Sequence, residues 1–142
     1  MANFLYDNAR EKFLNGDISW SRDTFKVLLL TSDYIADKSN HTNLTDIAQT
    51  SRIATSDALT NKGITSGSAS ASNTTFTGVD ANKVVKSMVI VKQNPTDTEN
   101  QTILIAHIDT ADGITGQNGG LTTTGSDIQI DWAGTDDIIF KL

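Results

Sequence analysis

Two short runs of β-branched and aliphatic residues face each other across a turn-rich stretch, and no feature of the chain limits its fold more. They are VVKSMVIVK from Val84 to Lys92 and QTILIAHID from Gln101 to Asp109, and the segment between them holds the chain's single proline, Pro95. Val and Ile suit a pleated surface, while Asn94, Pro95, Asp97 and Asn100 suit a chain reversal, so the pair is predicted to form an antiparallel hairpin.

The rest of the chain reads as further strands around that hairpin. TFKVLLLT from Thr24 to Thr31 is short, continuously apolar and branched at Val27, as expected of a central strand buried on both faces. Ile18 to Trp20 reads as extended. Between Ser51 and Thr77, 12 of 27 residues are Ser or Thr. Strands are predicted there over Arg52–Leu59, Gly63–Ser66 and Ser68–Phe76, with small hydroxylated side chains suited to a solvated sheet face or a subunit contact. DIQIDW alternates and places Ile128, Ile130 and Trp132 on a core face. Ile138–Leu142 supplies a last apolar strand, docked into the sheet. The one helical period lies at the start: Leu5, Tyr6, Ala9 and Phe13 form a stripe, Asn3 can cap it, and Gly16 ends a helix over Leu5–Leu14. Ser32–Thr50 is the longest connection, with a single helical turn over Thr42–Ile47. The expected fold is therefore mainly β, an antiparallel β-sandwich or strongly bent sheet with one short N-terminal helix, forming one domain over residues 1–142.

Composition narrows the functional classes. With 142 residues and 37% apolar composition the chain can bury a core without covalent staples, and the absence of Cys removes disulfides and thiolate chemistry together. A net charge of −6 and the lack of clustered Lys and Arg oppose a nucleic-acid partner. The N-terminus becomes charged within seven residues, too soon for the apolar stretch of a signal peptide. No apolar run approaches the roughly 18 residues of a spanning helix, so no membrane role is expected.

No residue is assigned to catalysis, to a cofactor or to a metal. His107 falls in the hairpin strand, on the face that simple alternation gives to Ile103, Ile105 and Asp109, and a structural histidine is the default reading there. His41 sits in the polar connection. Asp109-Thr110-Ala111-Asp112-Gly113 is similar to an acidic calcium turn, but it lacks alternating acidic positions and a downstream Glu, so a plain turn accounts for it. The adjacent Asp136 and Asp137 point to opposite faces of a strand and make no acid/base pair. The glycines of Gly113–Gly125 have no Gly-Lys-Ser/Thr and no helix behind them, so they read as turn glycines rather than a phosphate loop.

The order of several motifs is more specific than any one of them. A short N-terminal helix is followed by GDISWSRDTFKVLLLTSDY, then RIATSDALTNKGIT, VVKSMVIVK, LIAHIDTADGITGQNGG and DIQIDW, and the chain ends IIFKL. From Phe4 to Leu142 this series resembles a family of small virion structural proteins of tailed bacteriophages, with Ser32–Thr50 and Asn94–Asn100 the segments that depart most. The resemblance implies a non-enzymatic subunit of the particle, made in the host cytoplasm. Its most specific form is a capsid decoration, or cement, protein on the head surface, bound to the major capsid protein as a cyclic homo-oligomer, a trimer. A tail- or fibre-associated virion protein, with a carbohydrate-binding role, is the alternative. Attachment is expected to use the helix and the polar connection, through Phe4, Leu14, Tyr34, His41 and Leu44, in modest contacts repeated over neighbouring subunits.

Overall fold

The computed structural model describes residues 4–109, 121–130, 132 and 139–141. In chain order the elements are β1 (Phe4–Leu5), α1 (Asp7–Leu14), β2 (Phe25–Leu30), β3 (Arg52–Thr55), β4 (Gly63–Thr65), β5 (Ser68–Ser70), β6 (Thr74–Phe76), β7 (Val84–Val85), β8 (Ser87–Lys92), β9 (Ile103–Ile108), β10 (Leu121–Thr122), β11 (Ile128–Ile130) and β12 (Phe140–Lys141). Among the described residues the fold is mainly β and antiparallel with one α-helix, in a sandwich-like arrangement, as the sequence predicts. Its main sheet has the order β1-β9-β8-β2-β3, a second runs β12-β5-β4, and β10-β7 and β11-β6 form two-stranded ribbons.

The β8–β9 hairpin is present, and β2 lies between β8 and β3 as the central strand. Five of the six residues of β2 are buried, the outcome expected of a continuous apolar run covered on both faces. Trp20 connects the main sheet to the second one: its ring packs on Phe25 of β2 at 4.4 Å and edge-on to Phe140 of β12 at 5.2 Å, and its Nε1–H donates to the Ser70 carbonyl of β5. The segment between β2 and β3 covers the opposite face of the main sheet, with Tyr34 beside His107.

Several boundaries differ from the sequence reading. Residues 4–5 join the sheet instead of the helix, because Phe4 pairs with His107 and Leu5 with Ala106. Helix α1 then starts at Asp7 from an uncapped Tyr6, and Asn3 lies outside the described residues. Gly16, at φ 80°, turns the chain out of the helix as expected. Ile18 and Trp20 are buried but form no strand. The Asp23 carboxylate accepts the Ser19 N–H, and the Ser19 carbonyl accepts the N–H groups of Arg22 and Asp23, so this stretch closes on itself as a turn. The predicted strand over Ser68–Phe76 divides into β5 and β6. β5 turns back on β4 through Ser66-Gly67, both at positive φ, the geometry that favours a two-residue hairpin. Ile128, Ile130 and Trp132 are all buried while Gln129 is exposed, so the alternation in DIQIDW holds at those positions.

Candidate functional site

A cleft opens at the end of the main sheet where β2 finishes, β8 begins, β9 finishes and β1 begins. It has a volume of about 410 Å³ and is lined by Phe4, Thr31, Tyr34, Ile35, Ala36, Lys86, Ser87, His107 and Asp109. Its floor follows from strand register. Phe4, His107, Val89 and Leu28 form one cross-strand row, and Ser87 pairs with Leu30 in the next.

His107 reaches this cleft because of a β-bulge. Along the hairpin, Ile90 pairs with Ala106 but Val91 pairs with Leu104, which leaves Ile105 as an extra residue in β9. The bulge resets the alternation. His107 and Leu104 therefore oppose Val89 and Val91, which share a face of β8, and the face assigned to His107 from sequence, with Ile103, is corrected. The Phe4 ring stacks on the imidazole at 5.1 Å and 20°, and Tyr34 lies on its other flank at 6.3 Å. His107 is thus held among aromatic rings in the sheet.

One wall is fixed by a chain of hydrogen bonds. The Asp37 N–H donates to His41 Nδ1 at 3.2 Å, so that nitrogen carries a lone pair. The Tyr34 hydroxyl, 2.9 Å from the same atom, must then donate to it, and it accepts in turn from Tyr6 O–H at 2.7 Å. Burial raises both phenols: Tyr34 is pushed up to about 12, assisted by the carboxylates of Asp46 and Asp37, and Tyr6 goes higher still, with the neighbouring Tyr34 adding to the effect of burial. Ionising either would place charge in a low-dielectric interior. The chain Tyr6–Tyr34–His41, with both phenols protonated, therefore works as a strut that fastens the β2–β3 connection to the start of the helix.

The connection is more ordered than its polar sequence suggests. Asn43 and Asp46 form a reciprocal capping box around the 3-10 turn Leu44–Asp46, and Leu44 N–H donates to the Thr102 carbonyl. Arg52 donates from Nη2 to the carbonyls of Leu44 and Ile47 and to Glu99 Oε1, at 2.9, 2.6 and 3.0 Å. This tie holds Glu99 below the ordinary carboxylate range, through the hydrogen bond first and the guanidinium charge second.

The five residues expected to make partner contacts divide accordingly. Phe4 and Tyr34 line the cleft, and His41 supports its wall. Leu44 is buried in the core and presents no free surface, while Leu14, at 88% exposure, stands at the end of the helix. Sequence reasoning did not single out Thr31, Ile35, Ala36, Lys86 or Ser87. Only Lys86 and Ser87 carried a signal, since together they interrupt the apolar run Val84–Val91. Among the described residues no group of three or more His, Cys, Asp or Glu side chains is placed to hold a metal ion, and Asp112, Asp136 and Asp137 lie outside them. No helix among the described residues is long and apolar enough to cross a membrane. No protein-family model matches the chain, and a search of curated proteins finds no match either.

Proposed function

We propose that the protein is a non-enzymatic structural component of a tailed bacteriophage particle, a capsid decoration protein that binds the assembled head as a cyclic homotrimer. The observation that carries this reading is the ordered motif series from GDISW to the terminal FKL, which resembles virion structural proteins along nearly the whole chain. The fold gives several of those motifs structural work: Trp20 of GDISW joins two sheets, KVLLL is the central strand, and RIAT is the edge strand β3.

The exposed apolar side chains support the same reading. Leu14 at the helix end, Ile35 in the β2–β3 connection and Ile64 on β4 sit on three separate elements. A subunit that must stay soluble before its shell exists is better served by such dispersed contacts than by one apolar patch, with strength arising from multivalency on the shell. Copy number in purified particles, from quantitative mass spectrometry against the major capsid protein, tests the station. A fixed stoichiometric ratio to the shell subunit is expected, with binding to assembled shells and not to free coat subunits. A few copies per particle would instead assign the protein to the tail. The variant Leu14→Ser/Ile35→Ser should remain folded and leave shells in a wash that wild type survives.

A further inference from the structure

The turn behind the cleft wall closes on a single nitrogen lone pair. From Asp37 to His41 the chain folds back on itself: the His41 N–H donates to the Asp37 carbonyl at 3.0 Å, and the Asp37 N–H donates to His41 Nδ1 at 3.2 Å. The Tyr34 hydroxyl meets the same nitrogen at 2.9 Å, so two donors converge on one acceptor. A proton added to Nδ1 takes that acceptor away. The Tyr34 hydroxyl can rotate and accept from the new N–H, but it then turns its own proton toward Tyr6, and the Tyr6 O–H loses its acceptor. The Asp37 N–H belongs to the backbone and cannot reverse. It would face a second donor with nothing to receive it, so the closed turn and a proton at Nδ1 exclude each other.

The charged groups nearby favour the proton. On the same segment, Asp37 is held below the ordinary carboxylate range, by the Asn40 side chain first, and the Asp46 carboxylate accepts the N–H groups of Thr42 and Asn43 just beyond the ring. Both carboxylates attract an imidazolium. From the helix, Asp7 meets the turn with its charge matched by Lys38 at 3.5 Å, and from the main sheet His107 lies on the far flank of Tyr34. We propose that the Asp37–His41 turn is a pH-sensitive latch, opened by proton uptake at His41 Nδ1, which frees the cleft wall formed by Tyr34, Ile35 and Ala36. The Asp7 N–H bond to the Lys38 carbonyl does not involve the ring, so the segment stays tethered to the helix when the turn opens. The latch does not depend on where the protein sits in a particle.

The open turn holds one proton more than the closed one, so the closed state is favoured at high pH and is lost as pH falls. An ordinary histidine titrates near 6.5, and opening should therefore rise about tenfold between about pH 7.5 and 5.5. Amide hydrogen exchange of the full chain, followed by NMR and corrected for the intrinsic pH dependence of exchange, reads it. Protection of the Asp37 amide should fall about tenfold over that interval, while protection of Leu28 in the central strand should hold. His41→Asn keeps an acceptor near the position of Nδ1 and cannot take up the proton, so its Asp37 protection should not change with pH. His41→Leu has no acceptor there and should leave Asp37 weakly protected at both pH values. The wild-type comparison of Asp37 with Leu28 decides by itself if either variant folds poorly. Undiminished protection of Asp37 at the lower pH, an equal loss at Leu28, or the same tenfold loss in His41→Asn would overturn the proposal, the last by passing the titration to another group such as His107.

Discussion

Tyr6 and Tyr34 are the only tyrosines in the chain, so a single spectroscopic titration reads both ends of the strut that holds the β2–β3 connection. Both phenols are raised by burial, Tyr34 to about 12 and Tyr6 beyond it. An unfolded tyrosine ionises near 10. A folded value above the unfolded one stabilises the native state fully below about pH 10, and that contribution is lost as pH rises through the folded value. Tyrosinate absorbance at about pH 11 should therefore reach only about a tenth of one equivalent from Tyr34, and thermal stability should decline between about pH 10 and 12. Two equivalents appearing near pH 10 while near-ultraviolet circular dichroism stays native would show that the hydroxyls are solvated. Tyr34→Phe takes away the acceptor for Tyr6 O–H and the donor to His41 together. It should cost about 1–3 kcal/mol, the range for a buried group left unpaired, measured as a shift in denaturation free energy.

At the scale of elements, what was legible follows from how local each signal is. The hairpin, the central strand and the DIQI alternation are written in consecutive residues, and each is present. The bulge at Ile105 is not, because one extra residue in β9 leaves the composition of the run unchanged while reversing the face of everything after it. Pairings such as β6 with β11 and β5 with β12 join segments far apart in sequence, and no local pattern specifies them. The candidate site was half legible for the same reason. Phe4 and Tyr34 stood out by residue type, whereas Thr31, Lys86 and Ser87 became neighbours only through register. Arg52 shows the same gap between polar composition and real anchoring. Its planar fork fixes the Leu44 and Ile47 carbonyls and Glu99 at once, which an ammonium cannot copy. Arg52→Lys is thus expected to lose about 2 kcal/mol and to speed hydrogen exchange at the Ile47 amide. The Glu99 contribution, present above the ordinary carboxylate range, should fade as pH falls through its lowered value. A lysine variant as stable as wild type would mean that the turn holds itself.

At the scale of the whole molecule, the question is whether the short ribbons are passengers on the main sheet or parts of one cooperative unit. Two-stranded ribbons are marginal alone. Phe76 of β6 and Ile128 and Ile130 of β11 belong to the same buried cluster as Leu28 and Ile90 of the main sheet. The two tryptophans make this testable because they report from different places. Trp20 packs between Phe25 and Phe140, whereas Trp132 is buried beside the β6–β11 ribbon and donates from Nε1 to Thr74 Oγ1 at 2.8 Å. Trp132→Ala removes a buried aromatic and leaves Thr74 without that donor, which should cost about 3–5 kcal/mol. In that variant Trp20 is the only fluorophore of its kind, and its own ring contacts are to Phe25 and Phe140. If the core is one unit, the Trp20 transition in guanidinium must move to lower denaturant by the full amount and coincide with the loss of far-ultraviolet β signal. A Trp20 transition that stays at its wild-type midpoint, with part of the β signal lost earlier, would show that the ribbon unfolds on its own and that the sheets do not share one core.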